Sequence, residues 1–251
     1  MKNIPYQRFP AGVAMDISSH EFQGGAYSPP KVSCLMVTKG NIDLLKTAYR
    51  SFKLQTWPNK ELVIICDAPS PELKAIVGLD PEVVYTEIPA GLSLGELRNL
   101  SISRSTGEFV CQWDDDDLYA PERISISMGV LLESGVDAVF LDSWMVWWMQ
   151  RNLMCVSPSR MWEGSMLARR SVVSIYPSLK KGEDSVITKW ILQNHSVSAI
   201  DYPQLYCYRI TGHNTWNDAH FESLFSAASK HFKPEEFNQV FALPCFASLQ
   251  S

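Results

Sequence analysis

Residues 107–123 read GEFVCQWDDDDLYAPER. An apolar, strand-like run ends in four adjacent carboxylates, Asp114 to Asp117, and a proline-led segment follows. Two like charges about 5 Å apart repel by roughly 3 kcal/mol at an effective dielectric near 20. Four in a row must be solvated, partly protonated or neutralised by a cation. Side chains alternate at period two while a strand lasts, so Asp114 and Asp116 are expected on one side and Asp115 on the other. Asp117 begins the turn into LYAPERISISMGVLLES, where Pro121 suits the first turn of a helix. Two same-side carboxylates at a strand end suit Mg²⁺ or Mn²⁺, which takes one or two carboxylates and completes its shell with phosphate oxygens and water. The plainer role is a solvated loop and a helix N-cap, but capping needs only one or two acids.

The segments before this run alternate in type. KVSCLMVTKG and ELVIICDA are short apolar runs typical of buried strands. IDLLKTAYRSFKLQ between them sets Leu44, Leu45, Ala48 and Phe52 at helical spacing. A short helix begins at SPELKAIVG, EVVYTEI reads as a strand, and SLGELRNLSISRST as a helix. Strands alternating with helices over short links predict an α/β fold with a doubly wound, mostly parallel central sheet flanked by helices. Ligands in such sheets bind beyond the carboxyl ends of the strands. The acidic run and Asp67, after VIIC, both stand at such ends and suggest a nucleotide site.

Past residue 135 the pattern changes. VDAVFLDSWMVWWMQRNLMCVSP reads as strands with QRN as a hairpin turn. Trp144 and Trp148 fall on one side and Trp147 on the other, with core filling as their expected role. EDSVITKWILQN is helical, with Val186, Ile187, Trp190 and Ile191 expected on one side. LYCYRI is a strand, and DAHFESLFSAASKHF a last helix. Residues 1–30, ending in QGGAYSPP, read as an arm or linker. Residues 31–251 form one expected domain, with a nucleotide-binding half at 31–135 and an acceptor-binding half at 136–251.

Composition bounds the function. Hydrophobic residues make up 46% of 251, enough for a sizeable core, and the net charge of −5 argues against a nucleic-acid partner. No apolar run approaches a membrane span, and MKNIPYQRFPAGV lacks the apolar region of a signal peptide. The six cysteines, at 34, 66, 111, 155, 207 and 245, form no CxxC pair. Reduced, buried thiols in a cytoplasmic protein, free or peripheral at the inner face of a membrane, are expected.

From about Lys31 to Asn217 the chain resembles glycosyltransferase family 2, with the GT-A fold. The resemblance rests on VSCLMVTKGNIDLLKTAYRSFKLQTWPN, with its threonine-containing turn and QTxP end. It continues through the acidic strand end in ELVIICDAPSPE and the pair Arg98 and Asn99. The DxD motif follows at Asp114, Asp115 and Asp116, and then the acidic pair Glu183 and Asp184 in KKGEDSVITKWI. The chain departs from the family in having Cys66, Asp67, Ala68 and Pro69 after the second strand, and Val37, Thr38, Lys39 and Gly40 in the opening turn.

The resemblance implies transfer of a sugar from a nucleotide diphosphate sugar, UDP being the expected nucleotide, to a hydroxyl of a glycan or glycolipid acceptor. Inversion at the anomeric carbon and a Mn²⁺ or Mg²⁺ cofactor are implied too. Asp116 is the expected direct metal ligand. Asp114 is expected to bind the ribose or metal-bound water, with Asp115 sharing one of these tasks. Asp67 would read the base and Thr38 line the nucleotide pocket, while Arg98 would pair with Asp67 or a DxD carboxylate. Asp184 matches the family's base. In YRITGHNTWNDAH, His213 resembles the third metal ligand that this fold often takes from its C-terminal part, with His220 as the alternative. Trp162, Glu163 and Glu183 are the acceptor-side candidates, Trp162 because an aromatic face stacks on a sugar while its N–H hydrogen-bonds. Two other classes stand beside this reading. A nucleotidyltransferase would want a glycine-rich phosphate loop after the first strand, where VTKGNID has a single glycine. A non-catalytic sugar- or cation-binding module would not need the acidic pair.

Overall fold

Two sheets carry the chain in a computed structural model that describes residues 6–14, 28–69 and 71–237. The larger has eight strands in the order β1-β11-β7-β10-β5-β2-β3-β4. They are β1 (Gln7–Pro10), β2 (Val32–Thr38), β3 (Lys60–Cys66), β4 (Val83–Glu87), β5 (Phe109–Gln112), β7 (Ala138–Leu141), β10 (Leu167–Arg169) and β11 (Val197–Asp201). All pairs are parallel except those of β10, which lies antiparallel between β5 and β7. The expected mostly parallel α/β sheet is therefore present.

Local chemistry explains the parallel half. β2 and β3 are mostly apolar and buried, as strands covered on both faces must be, and the polar pair Ser33 and Glu61 at their starts is joined by a hydrogen bond of 2.6 Å. Helix α1 (Ile42–Lys53) starts where the Asn41 side chain accepts from the Leu44 amide at 3.3 Å, and it buries Leu45, Ala48 and Phe52. Helix α2 (Pro71–Val77) follows β3, and helix α3 (Leu94–Arg104) opens on a full capping box of Ser93 and Glu96. Gly40, at φ +77°, makes the turn after β2 possible: a Cβ there would sit 2.4 Å from the Ala68 carbonyl oxygen.

The second half adds a smaller five-stranded sheet, in the order β13-β9-β8-β12-β6. It comprises β6 (Leu118–Tyr119), β8 (Met145–Trp148), β9 (Leu153–Val156), β12 (Tyr206–Ile210) and β13 (Lys230–Phe232). The β8–β9 hairpin turns through Met149–Arg151 and Asn152, as QRN suggests. Trp144 and Trp148 join the main core, while Trp147 packs on a separate cluster with Met145 and Met154.

Helices α4 (Arg123–Ser134), α5 (Glu183–Asn194) and α6 (Asp218–Ser226) complete the fold. Three sequence expectations need correction. In α5, Ile187 and Ile191 are buried but Val186 and Trp190 are 46% and 44% exposed, because the inner stripe runs 183-187-191. The last helix ends at Ser226, and Lys230–Phe232 is an edge strand pairing with β9. Within the expected arm, Gln7–Pro10 extends the large sheet beside β11. Residues 1–5 and 15–27 of that arm lie outside the described residues, as does Cys245. Cys34, Cys66, Cys111, Cys155 and Cys207 are all buried. Among the described residues no helix is long and apolar enough to cross a membrane.

Candidate active site

The carboxyl ends of β2, β3 and β5 open into a cavity of about 720 Å³. Thr38, Asp67, Arg98, Asp114, Asp115, Asp116, Trp162, Glu163, Glu183, Asp184 and His213 all line it, so every sequence candidate converges on one place. His220 lines it as well.

The acidic run is not a strand end with alternating side chains. β5 stops at Gln112, and Asp114 to Asp117 form a turn before β6. Each carboxylate has a different partner. Asp114 accepts from Arg98 Nη1 at 3.2 Å and from Gln112 Nε2 at 2.8 Å. Asp115 accepts from the Thr38 hydroxyl at 2.5 Å. Asp116 accepts from Asn214 Nδ2 at 3.1 Å. Asp117 is fully buried, where it accepts from the Tyr206 hydroxyl and from the Arg209 backbone amide. Pro121 does not enter the helix; α4 starts at Arg123, with Glu122 as its N-cap residue.

Partners that span 77 to 98 residues of sequence hold the turn in this shape, and they override the local period. Among the described residues Asp115, Asp116 and Asp117 form no ion pair, their partners being neutral hydroxyl and amide groups. Burial, then the charges of Asp117, Asp115 and Asp114, push Asp116 well above the usual carboxylate range. Burial likewise raises Asp115 to about 6 and Asp117 to about 8. Four crowded anions that only the Arg98 and Arg209 guanidiniums oppose are a donor set that a hard divalent cation fits. Among the described residues no three His, Cys, Asp or Glu side chains are gathered to hold a metal ion, so Asp114, Asp116 and His213 do not come together as the expected ligand set. An ion here would take further oxygens from a diphosphate and water, as Mg²⁺ does.

Arg98 resolves the choice between partners. It is buried and pairs with the DxD carboxylate Asp114 and also with Glu183, through Nε at 2.7 Å, not with Asp67. Glu183 is itself buried, at 1% exposure. Asp67 keeps one buried carboxylate oxygen without a hydrogen-bond partner among the described residues. Beside it, Thr38 donates to Asp115 and accepts from the Gly40 amide at 3.0 Å.

Asp184 lies in the first turn of α5, with Oδ1 accepting from the Ser185 amide at 2.7 Å. Burial raises it to about 6, the Arg98 charge opposing and the Glu183 and Glu163 charges assisting. Glu163 is gripped by both Arg160 nitrogens, at 3.0 and 2.9 Å, and accepts from the Ser185 hydroxyl at 3.0 Å.

Trp162 is buried. It stacks on Trp144 with centroids 4.5 Å apart, and the Arg160 guanidinium lies 3.8 Å from its ring centre. Its indole N–H donates to the Pro158 carbonyl at 3.1 Å and is already committed. His213 is exposed on the loop after β12. The neighbouring Asn214, not His213, contacts Asp116, and it also accepts from the Thr211 amide at 2.7 Å. His220 stacks on Trp216, centroids 4.4 Å apart.

The sequence reading missed Asn214, Tyr206 and Arg209. Asn214 sits in HNTWN, which reads as an ordinary turn, and only its neighbour His213 signals the loop. Tyr206 and Arg209 belong to a strand whose alternation predicts burial but not contact with a turn some ninety residues earlier.

In sequence and in fold the chain is similar to known proteins. Residues 33–152 match the family model described as Glycosyl transferase family 2. WcaA of Escherichia coli (strain K12), named as a colanic acid biosynthesis glycosyl transferase, is 29% identical over 101 residues, which cover 39% of this chain and 36% of that one. The chain thus spans about a third of that relative's length. S. aureus TarS 1-349, solved with UDP, superposes with a TM-score of 0.60 at 16% identity, covering 85% of this chain and 72% of that one. Mannosyltransferase PcManGT from Pyrobaculum calidifontis, solved with GDP-Man and Mn²⁺, superposes with a TM-score of 0.56 at 15% identity, covering 94% and 79%. These likenesses establish the fold as the GT-A type.

Proposed function

We propose that the chain is a family 2 glycosyltransferase that moves a sugar from a nucleoside diphosphate sugar to an acceptor hydroxyl with inversion. The observation that carries the reading is one cavity holding the acidic turn and Asp184, joined through Arg98 and Glu183. WcaA's name speaks of colanic acid biosynthesis, and a glycan or glycolipid acceptor in polysaccharide synthesis is the corresponding proposal here.

Thr38 and Asp67 border the nucleotide side, where the Asp67 carboxylate can accept from a base or ribose. UDP-sugars are the first donors to try. Mn²⁺ or Mg²⁺, held by Asp116 and Asp114 with His213 reaching in from its loop, would offset the charge of the departing diphosphate. Across the cavity, Asp184 accepts the proton of the acceptor hydroxyl as its oxygen bonds to the anomeric carbon. The bond from that carbon to the diphosphate oxygen breaks, and its electron pair leaves with the diphosphate. A carboxylate raised to about 6 by burial is still ionised at neutral pH and is a better base than a solvated aspartate. Trp162, stacked on Trp144, and Glu163, which accepts from the Ser185 hydroxyl, line the same cavity as Asp184 and are the proposed acceptor side.

The test is nucleotide release from UDP-GlcNAc, UDP-glucose and GDP-mannose with Mn²⁺, preceded by a thermal-shift screen of the same donors. Release that Asp184→Asn abolishes supports the reading. A protein that neither binds nor turns over any nucleoside diphosphate sugar is not this enzyme.

A further inference from the structure

Arg123 is fully buried at the start of α4, directly behind the acidic turn. Among the described residues no carboxylate pairs with it, and its Nε and Nη1 have no hydrogen-bond partner. Nη2 donates to the Gln112 carbonyl at 3.3 Å and to Cys111 Sγ at 3.5 Å, at the point where β5 gives way to the turn. Aromatic rings surround the guanidinium: Tyr206 at 5.1 Å, Tyr119 at 5.2 Å and Trp113 at 6.0 Å from its carbon. A buried cation that no carboxylate pairs with, and whose acidic hydrogen-bond partner is the Cys111 thiol, is commonly less stable than an apolar side chain of equal volume. Packing alone therefore does not account for an arginine here.

The rings around Arg123 are the ones that hold the turn. Tyr119 stacks on Trp113 with centroids 3.8 Å apart and meets Tyr206 edge-on at 4.9 Å. The Tyr119 hydroxyl accepts from the Asp114 amide at 2.7 Å and donates to the Asp114 carbonyl at 3.1 Å. The Tyr206 hydroxyl donates to Asp117. Both ends of the four-carboxylate run thus hang from rings that face one cation. Cation–π attraction acts on a ring's face and fixes its plane, which sets where the hydroxyl points.

We propose that Arg123 is a positioning residue for the metal-binding turn. It clamps Tyr119 and Tyr206, and through their hydroxyls it fixes the spacing of Asp114 and Asp117 and so the aim of the carboxylates between them. The proposal rests on the reading of that turn as the cation site. Metal-site partners beyond the ligands typically matter 10–100-fold in affinity.

The test is Mn²⁺ binding with UDP present, followed by the electron paramagnetic resonance of free Mn²⁺, alongside thermal unfolding of each variant. Arg123→Met keeps the volume and removes the charge; its Mn²⁺ affinity should fall about 10-fold or more. Arg123→Lys, which restores a cation, should recover part of that loss. Tyr206→Phe should weaken Mn²⁺ similarly, and the double variant Arg123→Met with Tyr206→Phe should be no worse than the weaker single one, because both act on one path. A folded Arg123→Met protein with a lowered melting temperature but unchanged Mn²⁺ affinity would overturn the proposal and leave Arg123 structural. If Arg123→Met does not fold, Arg123→Lys, Tyr119→Phe and Tyr206→Phe decide, and unchanged affinity in all three overturns it. A wild-type protein that binds no Mn²⁺ removes the cation site itself and this role with it, whereas wild-type binding with unaffected variants removes only the role.

Discussion

Arg98 and Glu183, 85 residues apart in sequence, form a buried pair at 2.7 Å, and the same guanidinium reaches Asp114 at 3.2 Å. One side chain on α3 thus ties the first turn of α5, which carries Asp184, to the acidic turn. The two halves of the proposed reaction, leaving-group stabilisation and proton acceptance, share this strut.

Removing the arginine leaves Glu183 buried without a counter-charge. Breaking one side of a buried pair costs about 3–5 kcal/mol. Arg98→Ala should lose stability of that order in urea unfolding, and Glu183→Gln in the same chain should restore part of it. Arg98→Lys keeps the charge but not the fork that serves two carboxylates at once, so turnover should fall even where the fold persists. Equal stability of Arg98→Ala and wild type would show that the pair contributes nothing.

Asp116 and Asp117 are neighbours with opposite expected effects. Burial and three like charges disfavour the ionised form of Asp116, so Asp116→Ala should raise the melting temperature at pH 8 while abolishing Mn²⁺ binding. Asp117→Ala would strand the Tyr206 hydroxyl and the Arg209 amide in the interior, at about 1–3 kcal/mol each. It should lower the melting temperature clearly. The same direction of change in both variants would mean that the two carboxylates are not divided between site and scaffold.

Chelation gives a separate check on the cation. EDTA should stop nucleotide release, and Mn²⁺ or Mg²⁺ should restore it. Full release in EDTA would remove the ion from the mechanism and leave Arg98 and Arg209 as the cations nearest the turn.

Most of the parallel sheet was legible because its signals are local. Apolar runs mark β2 and β3, and the helical spacing of Leu44, Leu45, Ala48 and Phe52 marks α1. Of the smaller sheet, β8, β9 and β12 were legible as apolar runs, but β6 and β13 were not, since they are two and three residues long and pair with strands far away in the chain. The site was legible as a set of acids but not as geometry. Nothing near Asp117 announces that Tyr206 and Arg209 will bury it, and nothing in SRMWEGSML announces that the Trp162 N–H is spent on Pro158. Long-range partners decide both.

The loop after β12 offers a contest between neighbours. Asn214 already touches Asp116 through its amide, whereas His213 is exposed and free to turn toward a bound ion. Asn214→Ala should disturb Asp116 in the absence of metal, seen as a loop change in amide hydrogen exchange around 211–217. His213→Ala should leave that exchange unchanged and raise the Mn²⁺ concentration needed for half activity. If His220→Ala has the Mn²⁺ effect and His213→Ala has none, the ligand is His220.

Asp184 joins a stability effect to a catalytic one. Its ordinary value is 3.8, and burial carries it to about 6 in the folded chain. The folded state therefore holds the proton more tightly than the unfolded state, so ionised Asp184 destabilises the fold above pH 6 and not below pH 3.8. Asp184→Asn should unfold at a higher temperature than wild type at pH 8, and the gap should close as the pH falls toward 4. For catalysis the sign is reversed, because only the ionised form accepts a proton. The rate at low acceptor concentration should climb as pH rises through about 6 and then level off. Asp184→Asn should keep donor and Mn²⁺ affinity while turnover falls by at least about 10²-fold. NMR of the product should show the anomeric configuration opposite to that of the donor. Retained configuration would rule out single displacement. An Asp184→Asn enzyme with normal turnover would move the base to Glu163, which Ser185 holds beside it at 3.0 Å.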